Sequence, residues 1–180
     1  HPHYTFQKKL SHSADSQDQR HRLTPGSRPI LHTHYVGGAP DVVVPELMRQ
    51  TPEAHSRFME TMEETWAAID ALLDDGVAPQ LAMYLLPNAF PVRFEESGDL
   101  AALHHKWTSR LCYNAQDEIW EASIQEVQAV REVHPRIGRW LMPPCGLRRD
   151  AGVRPLCPEG KRFCGVPVWK LELSQYQRLI

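Results

Sequence analysis

The sequence lacks any apolar run of the ~18 residues that a membrane-spanning helix requires. No leader pattern with a charged start and an apolar middle stands at His1-Pro2-His3. It also lacks internal repeats and low-complexity tracts, which removes solenoids and disordered tails from consideration. Charge of one sign is not in excess: the net value is −2, so bulk attraction to nucleic acid is not expected. Cysteine is scarce, with four in 180 residues, too few for a disulfide scaffold. Together these features lead us to expect a cytoplasmic protein in a reducing compartment, with no membrane or nucleic-acid partner.

What is present suits a globular α/β chain of one-domain size. Tyr4 to Leu10 is β-favouring and predicts a short strand. Val42–Val44 reads as a short buried strand or an extended segment. His32 and His34 would share one strand face, a candidate metal pair. Thr51 to Asp75 is the clearest helix: Pro52 opens it, Gly76 follows it, and Phe58, Met62, Trp66, Ile69 and Leu73 form one apolar stripe. A second helix spans about Pro79 to Leu86, and Ala89–Phe94 is expected to be extended. From Ser97 or Asp99 a long helical pattern runs through Leu103, Trp107, Leu111 and Ile124 towards Val133. After His134-Pro135 the chain turns irregular, and Val166–Leu173 reads as a closing strand. The expected architecture is helices packed on a small mixed sheet, with a domain over residues 1–142 and a Cys/Pro/Arg-rich extension over 143–180.

Three stretches carry chemistry. Gln17-Asp18-Gln19-Arg20-His21-Arg22 sets two guanidiniums and an imidazole side by side, a good anion grip. Gly76-Val77-Ala78-Pro79-Gln80-Leu81-Ala82-Met83-Tyr84-Leu85-Leu86-Pro87 follows. Then comes Arg110-Leu111-Cys112-Tyr113-Asn114-Ala115-Gln116-Asp117-Glu118-Ile119. In this order they resemble the Q-x-x-R-H-R, G-V-x-R-E-x-A-R-x-x-L-P and R-x-x-x-x-A-Q-x-E-I motifs of the flavin-dependent thymidylate synthases. The resemblance covers about residues 10–142.

The resemblance implies methylation of a pyrimidine nucleotide at C5, dUMP to dTMP. Methylenetetrahydrofolate would donate the carbon, and FAD reduced by NADPH would donate the reducing equivalents. It also implies a homotetramer that shares its sites between subunits. Relatives acting on uridine monophosphate widen the substrate choice. Gln17, Arg20, Ser27, Arg28 and Arg110 would contact the nucleotide, while Arg20, His21, Arg22 and His105 would contact FAD. No cysteine nucleophile is implied, so Cys112 reads as a small buried helix residue. Met83 and Gln80 replace the family's arginine and glutamate, and Asp99 and Ala101 replace its N-x-R. Alternatives are an eroded domain kept for assembly or nucleotide binding, and a metal-binding module on the same fold. Fewer than about twenty residues precede the first motif, where the family carries a strand-and-helix region. We therefore expect a piece of a longer protein, one half of a duplicated chain, or a shortened variant.

The extension holds Cys145-Gly146, Cys157-Pro158 and Cys164-Gly165. With Cys112 or a histidine these three make a candidate zinc or iron–sulfur ligand set. Eight Lys/Arg against three Asp/Glu lie between Arg131 and Arg162. Arg148, Arg149, Arg154, Lys161 and Arg162 are thus candidates to replace the phosphate contact missing at Met83, or else to pair with surface acids.

Overall fold

The alternation Tyr4, Phe6, Lys8, Leu10 on one side of a strand and Thr5, Gln7, Lys9 on the other makes β1 (His3–Ser11). A computed structural model describes residues 2–178. In it β1 belongs to a three-stranded sheet of order β1-β3-β2, with β2 at Gly26–Ser27 and β3 at Pro91–Asp99. β2 and β3 are antiparallel, pairing Gly26 with Glu96 and Ser27 with Glu95. The chain divides into two compact units, one from Gln7 to Glu96 and the other made of the residues on either side of it.

In the first unit Ser11 ends β1 and caps α1 (His12–Asp18): its Oγ accepts the Ala14 N–H at 3.1 Å. Two helices follow the loop, α2 (Glu46–Gln50) and α3 (Pro52–Asp74). Proline opens α3 because its missing N–H costs nothing there. Gly76, at φ +81°, supplies the left-handed residue past its end. The predicted stripe is the buried face, with Met62, Trp66 and Ile69 inward. Trp66 is 1% exposed, and its burial contributes roughly 4–6 kcal/mol. Its Nε1 donates to the Val36 carbonyl, and Tyr35 donates its hydroxyl proton to Asp70, so the long loop before α2 is tied onto α3. α4 (Pro79–Ala82) and a 3-10 turn at Met83–Leu85 fill the place of the second predicted helix.

The second unit packs α5 (Leu100–Arg110) against α6 (Asp117–Val133). Leu103, Trp107, Trp120, Ile124, Val127 and Val130 form its core, with Tyr4 and Phe6 packed on it. Two short helices follow, α7 (Pro135–Gly138) and α8 (Pro144–Asp150). Val168 and Leu173 bury into the same core as α5 and α6, and Tyr113 stacks edge-on to Tyr176. Among the described residues, no helix is long and apolar enough to cross a membrane.

Three expectations are corrected. The single long helix is two, because the chain turns at residues 111–116, where Gln116 caps α6 by accepting the Ile119 N–H at 2.9 Å. Of the two forms expected for Val42–Val44, the structure has the extended segment, half-buried, with the Val43 N–H donating to the Ala89 carbonyl. His32 and His34 stand on a 3-10 turn and its end, so they share no strand face. Val166–Leu173 forms no strand: one 3-10 turn spans Val168–Lys170 and a second, Leu173–Gln175, opens at its end, since Pro167 and the local Val168–Lys170 turn prevent ladder pairing.

Candidate functional site

In the unit from Gln7 to Glu96 the first motif lies where α1 ends. Gln17 is on its last turn, and residues 19–25 form a tight reversal into β2. Backbone bonds from Arg20 to Gln17, His21 to Asp18 and Thr24 to His21 close that reversal. Its footing is a buried ion cluster: the Lys8 ammonium donates to Asp18 at 2.8 Å and to Glu96 at 3.0 Å. Asp15 adds a second footing, accepting from Gln19 and from the Arg28 Nε at 2.7 Å. The Arg28 guanidinium lies 4.1 Å over the Phe94 ring. Arg20 and Arg22 are exposed and, among the described residues, have no ion-pair partner. His21 is half-buried between them. Two guanidiniums and an imidazole on a pinned turn suit the phosphates of a dinucleotide such as FAD. Ser27 is exposed on β2, while Arg28 is committed to Asp15 and Phe94.

Met83 is buried beside Ile69 and Ala82. An arginine there would bring an unpaired charge into an apolar cluster, so this position supplies packing, not an anion contact. Asp99, at the end of β3, caps α5 by accepting the Ala102 N–H at 2.8 Å.

In the other unit Arg110 ends α5, half-buried, and His105 stands exposed one turn earlier. Arg110 lines an open cleft of about 820 Å³ together with Arg162 and Arg178. Arg178 is held at the rim by the Ala115 carbonyl. Asn114 donates to the Arg162 carbonyl at 2.6 Å, which fixes that residue's backbone at the cleft. Three arginines line the opening against one acid, Glu159, and Arg178 also lies 3.7 Å from Asp117, so the balance at the opening is positive and suits a phosphorylated ligand.

The other basic residues of the extension divide by role. Arg148 donates to the Pro155 and Arg154 carbonyls, and Arg149 to Asp150 and the Trp169 carbonyl. Those two arginines fold the extension on itself. Of Arg148, Arg149, Arg154, Lys161 and Arg162, it is Arg162 that lines the cleft with Arg110, joined there by Arg178 further along the extension.

The predicted metal ligands Cys145, Cys157 and Cys164 meet at one place. They line a small apolar-walled cavity of about 20 Å³, and Cys112, from the turn after α5, lines it too. All four thiols are free. Burial pushes the Cys112 thiol up and, together with the nearby Cys112 sulfur, takes Cys145 to about 11. As placed, no three His, Cys, Asp or Glu side chains among the described residues stand close enough to hold a metal ion.

Sequence reasoning missed the Lys8–Asp18–Glu96 cluster. Its signal was available: Lys8 and Glu96 fall on the inward positions of two alternating strands, where a charge has to find a buried partner.

The chain is a sheet-and-helix α/β fold whose cationic turn exposes Arg20 and Arg22. The sequence model for the thymidylate synthase complementing protein family, Thy1, matches residues 1–136, and the chain belongs to that family. It is 30% identical over 157 residues to a flavin-dependent thymidylate synthase of Geobacter sulfurreducens, covering 87% of this chain and 65% of that protein. A flavin-dependent thymidylate synthase of Nitratidesulfovibrio vulgaris is 32% identical over 168 residues, covering 87% and 64%. The chain thus spans just under two thirds of the length of these relatives. Among solved structures, the UMP/dUMP methylase PolB from Streptomyces cacaoi, bound with 5-Br UMP, has the same fold. Its TM-score is 0.65 at 17% identity, covering 77% of this chain and 71% of that one.

Proposed function

We propose that this chain takes part in flavin-dependent C5 methylation of a pyrimidine nucleotide. The observation that carries the reading is the pinned turn at Arg20-His21-Arg22, with both guanidiniums exposed, in a chain that belongs to the Thy1 family. The relatives named above are flavin-dependent thymidylate synthases, and the structural neighbour is a UMP/dUMP methylase.

Arg20, His21 and Arg22 bind the flavin phosphates, with His105 towards the ring. Gln17 and Arg20 contact the nucleotide, and Ser27 adds a hydroxyl. Arg110 donates to the pyrimidine carbonyl, stabilising charge as it develops there and so activating the ring towards attack. Arg162 takes the phosphate contact that Met83 cannot make. Bound FAD, reduced by NADPH, supplies the reducing equivalents, while methylenetetrahydrofolate supplies the carbon; the protein binds and orients. The assembly is a homo-oligomer, tetrameric as in the family, that shares its sites between subunits.

A second reading is favoured by one observation. Met83 is packed in the core and Asp99 is spent on a helix cap, so two positions of the family's anion and flavin contacts are given to structure. On that reading the domain binds nucleotide or assembles without catalysis. Equilibrium binding of FAD and dUMP to the wild-type chain and to Arg20→Ala separates the two. The enzyme reading expects FAD to bind and Arg20→Ala to weaken it at least ten-fold. The non-catalytic reading expects dUMP binding or assembly without FAD.

A further inference from the structure

The cavity shared by the four cysteines has no part in nucleotide methylation as proposed. Its ligand-bearing segments are far apart in sequence: the turn after α5, the first turn of α8, and two points in the extension. Chance seldom brings every cysteine of a chain to one hole. The opening is about the size of one water molecule, yet its walls are almost wholly apolar. A water needs two to four polar partners and would find few. Soft sulfur ligands around a one-atom space suit a thiophilic ion instead.

Local geometry agrees. Pro143, Pro144 and Pro158 stiffen the flanks, so the backbone is held while the side chains keep their rotamer freedom. Among the described residues the extension has no strand, and beyond α8 only 3-10 turns; Val168 and Leu173 anchor it in the core of α5 and α6.

We propose that Cys112, Cys145, Cys157 and Cys164 together bind one zinc ion, which ties the extension to the turn between α5 and α6. Binding draws the four Sγ atoms inward by side-chain rotation to the ~2.3 Å of a zinc–thiolate bond. Four S–H bonds break, four Zn–S bonds form, and four protons leave to solvent. The resulting centre carries a charge of −2; Glu159 lines the same cavity, and Arg162 and Arg178 line the adjoining cleft. The site is structural and closed, with no open position for a substrate.

The test uses the full chain purified without chelator. Elemental analysis should find about one zinc per chain, and no zinc would overturn the proposal. Cobalt exchanged for zinc should give the intense visible d–d bands of a tetrahedral thiolate centre; weak octahedral bands would overturn it. Cys157→Ser should lower zinc affinity by more than the roughly 10–100-fold that outer-shell losses cost. Should that variant fail to fold, the cobalt spectrum of the wild type decides alone. Iron with acid-labile sulfide, or a disulfide between any two of the four, would overturn the zinc assignment.

Discussion

Replacing Lys8 with methionine tests the footing of the cationic turn. Lys8 donates to Asp18 and Glu96, whose side chains are 0% and 1% exposed, and its own is 4% exposed. Methionine keeps the length of the side chain and removes the charge. Two carboxylates then remain in a region from which water is excluded. Removing one partner of a buried ion pair costs about 3–5 kcal/mol. At roughly 2–4 °C per kcal/mol for a chain of this size, melting should fall by about 6–20 °C. Asp18 also holds the turn through its carbonyl, which accepts the His21 N–H, so FAD affinity should fall along with stability. Urea denaturation followed by tryptophan fluorescence reads the first effect, since Trp66 is in this unit. The triple variant Lys8→Met, Asp18→Asn, Glu96→Gln should recover much of the loss, because it buries no uncompensated charge. A Lys8→Met variant within about 1 kcal/mol of wild type would refute the reasoning.

Other perturbations separate the roles of the arginines and the titrating groups. Arg28→Ala loses both the Asp15 bond and the stack on Phe94, and should cost about 2–3 kcal/mol by the same denaturation assay. Arg162→Ala should weaken dUMP binding by about 10–100-fold, the range of one charge-assisted hydrogen bond. Arg148→Ala should leave that affinity unchanged and lower the melting temperature, since Arg148 serves the Arg154 and Pro155 carbonyls. Lowering the pH should destabilise the unit from Gln7 to Glu96 in two stages. Burial and the nearby Arg93 hold His34 below its usual range, so the unfolded chain takes up a proton first and stability falls as pH drops from about 6.5. Burial tends to raise the Asp41 carboxyl, but Lys9 and Arg93 outweigh it and hold the group low; its contribution is present above about pH 3.9 and is lost as pH falls through the native value. His34→Gln should flatten the first stage in a series of melts against pH, and an unchanged slope would contradict the assignment.

Much of the fold was legible where one physical signal dominates. The α3 stripe, with proline before and glycine after, leaves no other solution, and β1 alternates cleanly from Tyr4 to Leu10. The break between α5 and α6 was not legible from periodicity, because Leu111 and Ala115 continue the apolar spacing straight through it. What decides is tertiary: Leu111 is fully buried and accepts the Trp120 indole N–H at its carbonyl, which holds the turn. The closing strand failed for the opposite reason. Val166, Val168 and Leu171 have the composition of a strand, but no ladder partner pairs with them among the described residues; Val168 enters a 3-10 turn that Val166 and Leu171 flank. Within the candidate site, the cationic turn was readable from its residues and the family from three motifs in order. Which arginines of the extension would be spent on carbonyls, and which would face the cleft, depends on where the chain doubles back. That information is absent from local sequence. The meeting of Cys112 with the three later cysteines likewise appears only once α8 and the extension have packed.

The most direct test is tritium release from C5-labelled dUMP by the full-length protein, supplied with FAD, NADPH and methylenetetrahydrofolate. The account predicts release that requires both FAD and methylenetetrahydrofolate and is lost in Arg110→Ala. Absence of release, together with failure to bind FAD, would contradict it.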